Sequence, residues 1–176
     1  MSMIARPEVT EYHQAYQPYV EAIPTDNLLE ALESQLVTLG EWLQKQPASV
    51  WDHRYEEGKW SVKEVLAHIL DTEWVFTYRA LRFARGLKEP LPGVDQDELI
   101  AGGNFDQRPP ASLLEEFGHL RRASLVMFKS LTPEALLREG TASDCQFTSR
   151  ALVAIIAGHA WHHRNVLVER YGLQNA

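Results

Sequence analysis

Only one cysteine, Cys145, occurs in the 176 residues. A lone thiol can close no internal disulfide, so the core must hold the fold, and a reducing compartment is the simplest expectation. No apolar run approaches the ~20 residues of a membrane helix. The opening Met-Ser-Met-Ile-Ala-Arg-Pro lacks the apolar stretch of a secretory signal. Lys and Arg number 17 against 24 Asp and Glu, for a net charge of −7. That balance argues against nucleic acid, whose phosphates demand clustered cations. Alternation of period two is also missing, which speaks against a sheet. There is no Gly-x-Ser-x-Gly elbow, phosphate-binding loop or dinucleotide fingerprint. These absences leave a soluble, cytoplasmic, all-α protein with one domain's core.

Four segments carry helical periodicity. The first spans about Asn27 to Lys45, with Leu28, Leu32, Leu36, Leu39 and Leu43 in 4-4-3-4 steps before Pro47. The second opens at Ser61-Val-Lys-Glu64, a capping box in which hydroxyl and carboxylate each satisfy an orphan amide, and stops near Gly86. The third opens at a similar pattern, Ser112-Leu-Leu-Glu115, and runs to Leu131. The fourth runs from Thr148 or Ser149 to Tyr171-Gly172. Between the second and third lies Leu87–Ala111, with four prolines and three glycines. It is too long for a tight turn, so a crossover along the bundle is expected. Residues 1–24 read as a tyrosine-rich arm (Tyr12, Tyr16, Tyr19), and 25–173 as the bundle domain.

The fourth helix carries His159 and His163 one turn apart, a spacing that lets two imidazoles close on one ion. At about 100° per residue both fall on the stripe with Leu152, Ile156 and Val166, while His162 lies roughly 80° aside. His68, on the second helix, is the candidate third ligand, although it sits about 60° from the centre of its apolar face. Three neutral nitrogens with an open fourth position would make a catalytic rather than a structural site. A protease of the His-Glu-x-x-His type is excluded, because Ala160 stands where the Glu is needed. Asp71 and Glu73 are the candidate carboxylates for catalysis, Glu73 otherwise being a solvated residue; Asp71 and Thr72, one turn on from His68, could also orient its imidazole. Trp74, Tyr78, Arg79 and His162 are candidates for substrate contact, although Trp74, Tyr78, Trp161 and Phe83 read more readily as core than as a binding box.

The run Trp60-Ser61-x-x-Glu64-Val65-Leu66-x-His68-x-x-Asp71-x-Glu73, continuing as Tyr78-Arg79-Ala80-Leu81-Arg82-x-x-Arg85-Gly86, resembles the DinB/YfiT-like superfamily. Pro90-Leu-Pro-Gly-Val-Asp95-Gln-Asp97 and the closing Gly158-His159-x-x-His162-His163 resemble it too, in the same order. The resemblance covers roughly residues 27–173 and implies an up-down-down-up four-helix bundle. It also implies a divalent metal, held by histidines that map onto His68, His159 and His163. Ala160 departs from the family, many of whose members are acidic there. The activities implied are transfer or isomerisation with a low-molecular-weight thiol, or metal-dependent hydrolysis.

Thiol transfer leads on sequence grounds. The metal, zinc or nickel, would present a thiolate to an electrophile, whereas hydrolysis needs a proton acceptor that only Asp71 or Glu73 could supply. A non-enzymatic metal or haem site and a homodimer are the remaining expectations; a nucleophilic Cys145 would need a nearby base and an electropositive setting, which the sequence does not place.

Overall fold

The computed structural model describes residues 3–174. Short 3-10 turns and α1 (Gln17–Glu21) lead into the bundle. The first long helix, α2 (28–44), is α-helical over Leu28–Gln35, widens to π-helical geometry at Leu36–Glu41 and closes at Trp42–Gln44. Then follow α3 (Val62–Ala84), α4 (Gln96–Gly102), α5 (Pro110–Lys129), α6 (Pro133–Leu136), β1 (Glu139–Ala142), β2 (Cys145–Thr148) and α7 (Ser149–Glu169). Among the described residues no helix is long and apolar enough to cross a membrane.

Side chains start three of the long helices. Asn27 accepts from the Leu29 amide, Thr148 accepts from that of Ala151, and Ser61 with Glu64 completes the expected capping box. The box expected at Ser112 and Glu115 does not form. Pro110, with its fixed φ and no amide hydrogen, takes the start of α5 and places Ser112 inside the first turn, where Arg108 donates to its hydroxyl.

Helices α2, α3, α5 and α7 make the up-down-down-up bundle, with α2 and α3 each packed on both α5 and α7. The pair α3 and α7 is antiparallel. Tyr171, beyond α7, donates to the Trp60 carbonyl ahead of α3, while Arg138, ahead of α7, reaches the Ala84 carbonyl at the end of α3. The crossover from α3 to α5 contains α4 and a 3-10 turn at Phe105–Gln107.

The absence of strands expected from the sequence needs correction. β1 and β2 form an antiparallel hairpin over Ser143-Asp144, whose φ angles of 50° and 58° are those of a tight primed turn. Strands of four residues are too short to display period two. The hairpin pins the crossover: the Leu91 amide donates to the Thr141 carbonyl, and the Leu91 carbonyl accepts from Ser143.

The core has two apolar halves. Phe83, Phe128, Phe147 and Leu152 lie in one, and Leu43, Leu66, Phe117 and Leu167 in the other. Between them runs a polar layer of Gln35, Glu73 and Arg121, each no more than 1% exposed. Glu73 is therefore not solvated, as its charge suggests. Arg121 clamps it from Nε and Nη2 at 2.9–3.1 Å, and Nη1 of the same arginine reaches the Leu32 carbonyl and Gln35. Gln35 in turn donates to the Ala157 carbonyl, so one network ties all four helices. The tyrosine-rich N-terminal segment joins the first half through buried Tyr12, Val20 and Ile23.

Candidate metal centre

His68 lies two turns into α3, and His159 and His163 occupy successive turns of α7. The antiparallel packing of these helices brings the three together. One ligand nitrogen from each lies within 4.8 Å of the others. The Nε2 atoms of His68 and His159 are 2.9 Å apart, and the three pairs of rings sit at 4.4–4.8 Å. His68 and His159 are buried, and His163 is half-buried. Trp60 lies against His68, and Tyr19 against His159.

Burial sets their protonation. Desolvation, helped by the neighbouring imidazoles, pushes His68 down to about 4 and His163 down to about 3, and holds His159 well below its usual range. All three are neutral near pH 7, so each offers a lone pair.

The set fits a divalent ion. The described residues add no carboxylate to the cluster, so the donors are nitrogen only. Nδ1 of His163 is buried without a hydrogen-bond partner, a lack that a cation would repair. Two nitrogens bound tetrahedrally at ~2.0–2.1 Å stand roughly 3.3 Å apart, so the His68–His159 pair has only a few tenths of an ångström to open. Haem does not fit: its axial nitrogens must face each other across an open slot, and here they nearly touch.

His68 and His159 line a cavity of about 240 Å³. Asp71, Thr72, Val75, Phe76 and Arg79 continue its wall along α3; Tyr16, Tyr19 and Ser143 face it from the N-terminal segment and the hairpin. Burial, and then Glu116, push the Asp71 carboxyl above the usual range, against the pull of Arg108. His163 also borders a second opening, with Tyr55, Trp60, Asp97 and Tyr171.

The remaining candidates divide by helix angle. Arg79 stands about 20° from His68 around α3 and lines the cavity; Trp74 and Tyr78 stand roughly 120° and 80° away and do not. Trp74 is half exposed and donates to Glu116, and exposed Tyr78 accepts from Arg82. Neither is core. His162 is exposed outside the cavity, its ring against Tyr19 and His163. Glu73 points into the polar layer instead. Cys145 is half-buried beside the apolar half that contains Phe147 and does not line the cavity. Tyr16 and Tyr19 were hidden by their place in the arm. The signal for them is Gly158: a Cβ there would lie 1.9 Å from the Tyr19 carbonyl, so this glycine admits α1 against the histidine turn.

No curated protein matches the chain. Among solved structures it resembles YfiT from Bacillus subtilis, described as a probable metal-dependent hydrolase with an unusual four-helix bundle topology. The TM-score is 0.70 at 19% identity, over 84% of this chain and 87% of that one, a likeness of fold. The family model of the DinB superfamily matches residues 14–167, which takes in the bundle and all three histidines. The chain belongs to the DinB superfamily.

Proposed function

We propose that the chain is a divalent-metal-dependent hydrolase in which His68, His159 and His163 hold the ion and Asp71 receives a proton. The observation that carries this reading is Asp71 in the wall of the cavity that His68 and His159 border. Of the two carboxylates that the sequence offers as proton acceptor, Asp71 borders this cavity and Glu73 does not. A divalent ion on three neutral nitrogens supplies Lewis acidity and brings water toward a pKa near 7. Asp71 stands one turn from His68, and its raised carboxyl is a better base than a solvated one. Val75, Phe76 and Ile155 give the cavity an apolar side that limits water around the reacting group. The nitrogen-only donor set suits zinc or nickel. The likeness in fold to YfiT, with its description as a metal-dependent hydrolase, supports the same reading.

The second opening beside His163 favours one competing reading, thiol transfer. A small thiol and an electrophile could then approach the histidines from different sides. Both are tested together by loading the protein with zinc or nickel and offering a panel of esters and amides, then thiols with an aryl halide. Metal-dependent hydrolysis that disappears in His159→Ala supports the proposal. Conjugation of a thiol without any hydrolysis would overturn it in favour of transfer.

A further inference from the structure

Two arginines are almost wholly buried. Arg121 is 0% exposed and neutralised by Glu73; Arg79 is 3% exposed and has no carboxylate within ion-pair distance among the described residues. The Arg79 guanidinium lies over the Phe76 ring, 5.1 Å from its centroid, yet a buried cation with no counter-charge remains costly and open to an anion. The bonds that Arg79 makes both leave from Nη2, to the Pro92 carbonyl at 3.0 Å and the Ser143 hydroxyl at 3.1 Å. They hold the guanidinium between the crossover and the hairpin, and leave Nε and Nη1 without a protein acceptor. Asp71, the one acid in the cavity wall, lies two turns nearer the histidines.

From this we infer that Arg79 is an anion-recognition residue, and that the cavity takes an elongated small molecule carrying a carboxylate at the end remote from its reacting group. The inference rests on the proposed site for its other end. His68 and Arg79 share one face of α3, eleven residues and about 16 Å of rise apart. Helical side chains lean toward the N-terminus, which brings the guanidinium back toward the histidines. Between the two ends Val75, Phe76, Leu99 and Ile155 give the wall an apolar strip, beside the polar Thr72 and Gln96. A ligand that matches has a carboxylate, several carbons, and an ester, amide or similar group at the histidines. Asp71 repels the carboxylate from the histidine end and so fixes the direction of entry. One arginine suits a monoanion. The cavity's 240 Å³ falls below the ~300–1,000 Å³ of larger ligand sites, which keeps the molecule small.

Calorimetry with hexanoate and octanoate, beside their methyl esters, tests this on metal-free and zinc-loaded protein. The carboxylate should bind about tenfold or more tighter than its ester, the scale of hydrogen bonds to a charged group. That preference should persist without metal, vanish in Arg79→Met and survive in part in Arg79→Lys. Ser143→Asp offers an independent variant, because Ser143 already touches Nη2 and its positive φ is one that Asp tolerates. An internal carboxylate there should raise the melting temperature and abolish the preference, even if Arg79→Met fails to fold. A preference that requires zinc and ignores both positions means the carboxylate ligates the ion; Arg79 is then structural and the metal site stands. An Arg79-dependent preference in a protein that binds no metal would leave this inference intact and sink the hydrolase.

Discussion

Replacing Arg121 with Met would strand the Glu73 carboxylate in a layer where it is 1% exposed. That change removes three hydrogen bonds of 2.9–3.1 Å to the carboxylate, the bond to the Leu32 carbonyl, and the contact with Gln35. Breaking a buried pair from one side costs ~3–5 kcal/mol, because the surviving charge has no compensation. A domain of this size has ~5–15 kcal/mol in all. With a urea slope of about 2 kcal/mol per molar, the unfolding midpoint should fall by roughly 1.5–2.5 M. Glu73→Leu should cost nearly as much, since it leaves the guanidinium unpaired. The double change Glu73→Leu with Arg121→Met removes both charges and leaves only Gln35 and one carbonyl short of a donor, so it should cost less than either single change. Urea titration of the four proteins reads the whole cycle. A midpoint shift under 0.5 M for Arg121→Met, or a double variant as weak as the two singles combined, would refute the layer as a coupled electrostatic tie.

Three further outcomes follow from the geometry. Gly158→Ala sets a methyl 1.9 Å from the Tyr19 carbonyl, which backbone cannot easily yield, so α1 should detach and stability fall by ~1–3 kcal/mol or more; limited proteolysis should then cut before residue 27, and unchanged resistance would contradict the packing. In metal-free protein, His68 and His163 protonate near 6.5 when unfolded but at about 4 and about 3 when folded. Between those values only the unfolded chain binds the protons, so stability should fall as pH drops from 6.5 toward 4, by ~1.4 kcal/mol per pH unit for each histidine; denaturation midpoints flat over that range would show the rings are not buried neutral. Asp71→Asn should lower hydrolytic turnover by ~10²-fold or more with metal content unchanged; an unaltered rate would remove Asp71 from the chemistry.

The helices were legible because their signals are local. Leucines spaced by three and four mark α2, the Ser61–Glu64 box marks α3, and the pair His159 and His163 needs only one turn of α7 to define a shared face. His68 was less so: its angle leaves it at the edge of the apolar face, and the packing of α3 on α7 turns that edge inward. What escaped notice needs two distant segments at once. Glu73 lies on the stripe between Ile69 and Phe76, and Arg121 on that between Phe117 and Phe128. A charge at a core position on each of two helices is the signal, yet each alone reads as solvated. Ser143-Asp144 makes a tight turn without the usual Asn-Gly, so the hairpin stayed hidden, and with it the wall that orients Arg79. At α5 the local rule misled, because Pro110 claims the helix start ahead of Ser112.

Elemental analysis of protein purified without added chelator, and again after dialysis against zinc or nickel, tests the shared-ion claim most directly. Native chain should carry one divalent ion, and His68→Ala, His159→Ala and His163→Ala should each lose it while keeping their helical circular dichroism. A native protein that takes up no ion, or that keeps its ion in all three variants, would contradict the account.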